Sequence, residues 1–244
     1  MYPEDSIQNM LEPSDWWIQD DSFSFDRGYL IRAFLPHVDQ IPKTVIFSGR
    51  TNPIEHNSAE IRIEPLRVKR RPKKPFLPVS GAPLFGGEQY VLNRAKKRPA
   101  IILSGGGTEI DKALNRGKPN WQTSPHILVA PFYGVDENGQ RAGFNPNFIK
   151  AVRSGKYRQL MWDKLPLNSK TEESILYFNH IQPIGRHHDS IEYTGYRLSD
   201  DALMVFEDWL KWFINDDYEE GDFVGEFKKC IMDLEAFDDG CESS

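Results

Sequence analysis

The chain has 244 residues, 39% hydrophobic and 27% charged, which suits one ordinary domain with arms or two small domains and excludes a disordered or fibrous class. The net charge of −6 hides a pattern: residues 1–26 hold seven acids and no Lys or Arg, residues 215–244 hold eleven acids and two lysines, and the span 27–214 is left at +10. Two cysteines near the end, Cys230 and Cys241, exclude a disulfide framework and a zinc ligand set. Residues 1–30 lack a basic and apolar leader pattern, and no apolar run approaches the roughly 20 residues of a membrane span, so a cytoplasmic setting without membrane contact is expected.

In chain order, residues 1–26 read as an acidic amino-terminal arm, poorly ordered except where Trp16-Trp17-Ile18 docks on the body. Residues 27–36 (RGYLIRAFLP), 44–48 (TVIFS) and 59–68 (AEIRIEPLRV) read as strands, the last interrupted by Pro65. Residues 67–80 are rich in Pro and positive charge and read as a loop. The apolar runs at 98–104 (RPAIILS) and 126–133 (HILVAPFY) are buried-type strands, and residues 174–181 (SILYFNHI) alternate as a strand does. FIKAVRSGKY is a short helix candidate, while RQLMWDKLP is ambiguous.

The strongest helix signal covers Asp200 to Ile214. Ser199 suits an N-cap, Asp200 and Asp201 fall in the first turn, and Leu203, Phe206, Leu210 and Phe213 form an apolar face. Residues 215–244 form an acidic tail in which Phe223, Phe227, Ile231, Leu234 and Phe237 recur at near-helical spacing. The expected architecture is mainly β with a C-terminal helix.

Three ordered motifs carry chemistry. Gly86-Gly87-Glu88-Gln89 precedes Arg98-Pro99-Ala100 and its apolar strand; HILVAPFY precedes Arg141-Ala142-Gly143-Phe144; and Glu173–Ile181 precedes Arg186 and the helix opening at Ser199. In this set the chain resembles the MazF/PemK toxins of type II toxin–antitoxin systems, over residues 81–214. The family shows a G-x-E-Q loop, an R-P-A strand, a V-x-P strand and a D-S-x-x-x-x-D-Q strand. Arg27-Gly28-Tyr29-Leu30 resembles its first strand, with an insertion at about 37–80; the alternative first strand is 59–68.

The resemblance implies an SH3-like β-barrel of MazF/PemK/CcdB type over residues 27–214, usually a homodimer, that cleaves single-stranded RNA without metal or cofactor. A general base would take the ribose 2′-OH proton, the oxygen would attack the adjacent phosphate, and an acid would protonate the leaving oxygen. Arg98 matches the family arginine and would bind phosphate; its structural alternative is an ion pair with Glu88 at a strand start. Glu88 is a base or an orienting group for Arg98. Phe132 and Tyr133 stand where many members carry Thr or Ser, so Tyr133 is a candidate hydroxyl or stacking ring. Asn179-His180 replaces the family's D-Q pair, and His180 is a candidate acid/base in its place.

The basic residues Arg67, Lys69, Arg70, Arg71, Lys73, Lys74, Arg94, Lys96 and Lys97 suit a phosphate backbone, or a solvated loop. His187-His188-Asp189 resembles a metal trio only superficially, and Gly105-Gly106-Gly107 lacks the ending of a phosphate loop. Antitoxins of the family commonly cover the toxin's basic groove with an acidic, aromatic-bearing segment. Residues 216–239 have that composition, so an antitoxin or the chain's own tail is an expected partner. The altered family positions keep open a second reading, a non-catalytic module that binds nucleic acid or protein.

Overall fold

A computed structural model describes residues 2–12, 14–22, 24–38, 41–50, 52, 54–69, 84, 87–111, 113–118, 120–136, 143–167, 172–219 and 221–241. In chain order its strands and helices are β1 (Trp17–Gln19), β2 (Tyr29–Pro36), β3 (Lys43–Gly49), β4 (Glu60–Pro65), β5 (Tyr90–Leu92), β6 (Ala95–Ser104), α1 (Asn120–Thr123), β7 (His126–Gly134), α2 (Pro146–Arg153), β8 (Leu160–Leu165), β9 (Glu172–Tyr177), β10 (Gln182–Gly185), β11 (Ile191–Leu198), α3 (Asp200–Asn215) and α4 (Phe223–Cys241). Short 3-10 turns occupy Ile7–Leu11, Phe178–His180 and His188–Ser190. The chain divides into two compact units, Met1–Phe34 with Lys97–Ser244, and Leu35–Lys96.

The first unit is built on an eight-stranded antiparallel sheet in the order β1-β11-β2-β6-β7-β9-β8, with β10 on β7. Its central strands are apolar on both faces: Ala100 to Leu103 and Ile127, Val129, Ala130 and Phe132 are all buried. One cluster joins sheet residues such as Leu30, Ile101, Phe132, Met161 and Leu176 to Val205, Phe206 and Trp209 of α3 and to Val224, Phe227 and Ile231 of α4. Burying a Phe or Leu in such a layer contributes about 1.5–3 kcal/mol each. Among the described residues neither sheet closes into a barrel; helices cover the sheet's apolar face instead.

The helix α3 starts where capping chemistry places it. The Ser199 hydroxyl accepts from the Ala202 N–H at 3.2 Å, and Asp216 ends the helix in the left-handed conformation. The buried face is Ala202, Val205, Phe206, Trp209 and Trp212, rotated from the expected stripe. Leu203, Leu210 and Phe213 are only partly buried, because α4 draws Trp209 and Trp212 inward.

The two acidic ends are folded parts of this unit. In the amino-terminal segment Ile7 and Trp16 are buried, Trp17 pairs with Leu198 across β1 and β11, and the Gln8 amide donates to the Trp162 carbonyl at 2.6 Å. In the tail, Asp208 of α3 accepts the Phe223 N–H at 3.1 Å and so caps α4, while Phe227 packs 6.3 Å from Trp209. The Lys228 ammonium bonds the Gly155 carbonyl. Side chains beyond Asp233 in this helix lie outside the described residues.

RQLMWDKLP resolves into β8, paired with β9 through Trp162↔Ile175. The expected strand 174–181 ends at Tyr177, since Phe178–His180 turns as a 3-10 helix. The second unit is a three-stranded antiparallel sheet in the order β4-β3-β5. Val45 faces Ile63 on one side and Tyr90 on the other, and buried Thr44 donates to the Tyr90 carbonyl at 2.7 Å. Pro65 ends β4 at the sheet edge, where a missing N–H costs nothing.

Candidate functional site

Sheet register brings the motif residues together. The β6–β7 ladder pairs Ala100 with Pro131 and Ile101 with Ala130; continued two residues outward, it sets Arg98 across from Tyr133. The guanidinium carbon of Arg98 lies over the Tyr133 ring, 4.3 Å from its centroid. Such cation–π contacts contribute about 0.5–2 kcal/mol.

The β7–β9 ladder pairs Tyr133 with Ile175, so Tyr177 is the diagonal neighbour of Tyr133. Their rings are 4.5 Å apart. The turn that follows presents His180, whose Nδ1 shares a 2.9 Å hydrogen bond with the Tyr133 hydroxyl, with donor and acceptor set by the tautomer. The His180 ring is 5.0 Å from Tyr177 and 5.6 Å from Tyr133. Phe178 anchors this turn: it is buried, its ring stacks 5.6 Å from Phe213, and its N–H donates to the Gln159 carbonyl at 2.9 Å.

Arg98, Tyr133 and Tyr177 are half-buried, and His180 is exposed at the rim. Burial raises the Tyr133 pKa, while the Arg98 charge pulls the other way. Burial, then the neighbouring Tyr133, raises that of Tyr177. Both phenols therefore hold their protons at neutral pH. The cluster offers a cation, a protonated phenol and an imidazole within one row of contacts. That set can bind an anion and pass a proton between Tyr133 and His180.

The other expected residues are placed differently. Glu88 is half-buried and belongs to the second unit, as do exposed Arg67, Lys69, Arg94 and Lys96. Lys97 is in the first unit and pairs with Glu192, which also accepts from Arg32 at 3.2 Å. Exposed pairs of this kind contribute about 0–1 kcal/mol and are readily exchanged for a phosphate. Arg70, Arg71, Lys73, Lys74, Gly86, Arg141 and Ala142 lie outside the described residues.

The donor atoms of His187, His188 and Asp189 lie within 4.8 Å of one another, but all three residues are exposed and the Asp189 N–H already donates to His187 Nδ1 at 3.1 Å. Gly105 and Gly106 serve close packing: a Cβ on Gly105 would stand 2.7 Å from the Phe25 carbonyl oxygen, and one on Gly106, at φ +90°, 1.9 Å from that of His126. The sequence reading missed Tyr177, although it lies in the third motif; only the diagonal of the β7–β9 register marks it. It also missed Asp163, a carboxyl that is 3% exposed and receives the indole N–H groups of Trp16 and Trp17 at 3.1 and 3.3 Å.

Compared with protein-family models, curated proteins and solved structures, the chain gives no match.

Proposed function

We propose that this protein is a MazF/PemK-like, metal-independent endoribonuclease acting on single-stranded RNA, with Arg98, Tyr133 and His180 at its centre. The observation that carries the reading is the convergence of these three residues, which come from three separate motifs, on β6, β7 and the turn after β9. Arg98 binds the scissile phosphate and stabilises the charge that builds on it. His180 takes the 2′-OH proton or returns one to the leaving oxygen, and the Tyr133 hydroxyl holds the imidazole in position.

The SH3-like type belongs to this proposal as well, as an opened variant in which β6, β7 and β9 carry the motifs on adjacent strands. A homodimer and an antitoxin-type protein partner go with that family reading. The chain's own tail is a less apt inhibitor, because Val224, Phe227 and Ile231 are engaged in the core of its unit. A second reading, a binding module without catalysis, is favoured by one feature: Asn179 stands where the family carries an acid.

The test is incubation of the full chain and of Arg98→Ala with a long mixed-sequence RNA in the presence of a chelator. Discrete fragments from the native chain and none from the variant support the nuclease. Intact RNA with salt-sensitive retention on a gel supports the binding module. Intact RNA without retention rejects both.

A further inference from the structure

We propose that the cavity beside the bulge in β11 is a binding site for a small organic cation, an alkylammonium or alkylguanidinium about as long as a lysine or arginine side chain. The site lies within the first unit, shares no residue with the Arg98 cluster and does not rest on the nuclease reading. In the ladder to β2, Tyr193 pairs with Ile31 and Tyr196 with Leu30, so Thr194 and Gly195 are extra residues. The Thr194 hydroxyl donates to the Leu30 carbonyl at 2.6 Å, and Gly195 takes φ +80°. The chain leaving β1 borders the bulge, with the Asp20 N–H on the Gly195 carbonyl at 2.9 Å. Beside it is a cavity of about 310 Å³ lined by Asp20, Asp21, Ser22, Tyr29, Tyr193 and Tyr196 together with the bulge.

The two carboxylates of this cavity differ. Asp20 Oδ2 accepts the Tyr29 hydroxyl at 2.8 Å and Arg197 Nε at 2.9 Å, and its Oδ1 accepts the Ser22 N–H at 2.8 Å. Hydrogen bonds from Ser22, then Tyr29 and Arg197, hold its pKa well below the usual carboxylate range. Arg197 also donates to Asp200 at 3.0 Å, so its one charge is shared by two acids. Asp21 is exposed and has no ion-pair or hydrogen-bond partner among the described residues; its Oδ1 lies 3.5 Å from where a Cβ on Gly195 would stand. A carboxylate left over beside three tyrosines suits a cation, because aromatic faces attract positive charge and the carboxylate accepts its N–H groups. A hard metal ion fits less well, since it takes roughly six or more oxygens and those of Asp20 are engaged. The Tyr193 wall is set in advance: the Phe25 ring meets it at 5.9 Å and 60°, and the Arg186 guanidinium lies 4.5 Å from the Phe25 centroid. A wall ordered before binding lowers the entropy lost by the complex.

The experiment titrates the isotope-labelled full chain with n-butylammonium and with n-propylguanidinium and follows the backbone amide signals. Uncharged 1-butanol is the size-matched control. The expected result is saturable shifts at the amides of Asp21, Ser22 and Gly195 with both cations and none with 1-butanol. Asp21→Asn should weaken both cations roughly 5- to 50-fold, with the rest of the spectrum native. Asp15→Asn removes an acid of the same segment outside the cavity and should bind as the native chain does. Shifts that do not saturate, equal shifts with 1-butanol, or native affinity in Asp21→Asn overturns the site. An equal loss in Asp15→Asn overturns it too, as an effect of overall charge. Displacement of the amines by an equimolar amount of magnesium or calcium ion overturns the organic cation in favour of a metal.

Discussion

Trp16 reaches across 147 residues of sequence to Asp163: its indole Nε1 donates to the carboxylate Oδ2 at 3.1 Å. Trp17 and the Lys164 N–H donate to Oδ1 at 3.3 and 2.7 Å. The amino-terminal segment is thus tied to β8 by a buried carboxyl. Burial pushes that carboxyl up to about 7, against the pull of the Trp16, Trp17, Lys164 and Tyr2 donors. A carboxyl whose folded pKa is raised gives its full stabilisation below the unfolded pKa of about 3.9 and loses it as pH rises through the folded value. Stability should therefore fall between about pH 4 and pH 7, by up to roughly 4 kcal/mol from this group. Denaturant unfolding across that range checks it. Asp163→Asn should flatten the slope, and a variant profile parallel to the native one rules out Asp163 as its source.

Removing the tail should unfold the protein rather than release an inhibited site. Phe227 is 1% exposed and packs against Trp209. Phe227→Ala should cost about 3–5 kcal/mol through the cavity it leaves. The denaturant midpoint should drop with little change in slope. A tail-deleted chain with native stability would contradict this packing.

Arg98→Lys should keep the charge and lose the planar fork that stacks on Tyr133. RNA cleavage should fall about 10²–10³-fold, the usual cost of one lost charge-stabilising donor. Arg98→Ala should also lower the slope of log K against log salt by about 0.7 for a single-stranded ligand. An unchanged slope would remove Arg98 from the phosphate contacts.

Tyr133→Phe keeps the ring and deletes the 2.9 Å hydrogen bond to His180. Stability should change by about 0.5–1.5 kcal/mol and RNA affinity little, while single-turnover cleavage slows. Equal slowing of binding and cleavage would assign Tyr133 to binding alone.

Gly106→Ala should be the most damaging of the small substitutions. At φ +90° the new Cβ would meet the His126 carbonyl oxygen at 1.9 Å, backbone that cannot give way without shifting β7. Circular dichroism and thermal unfolding read the result directly, and a native-like melting curve would refute the close approach.

The sequence alone determined the elements whose signals are local. Ser199 followed by two acids fixes where α3 begins, and the unbroken apolar runs at 98–104 and 126–133 fix the central strands, because capping and burial on both faces act within a few residues. It also supplied Arg98, Tyr133 and His180 as candidates. Their meeting depended on register: the Ala100↔Pro131 and Tyr133↔Ile175 pairings join strands far apart in the chain, and a one-residue slip would turn each side chain to the opposite face. The same non-local packing decided that the acidic ends are folded. Charge argued for a loose amino-terminal arm, whereas the spacing of Phe223, Phe227 and Ile231 already argued for a docking helix in the tail; Trp16, Val224 and Phe227 bury enough apolar surface in the unit's core to outweigh the ordering cost of the segments that carry them.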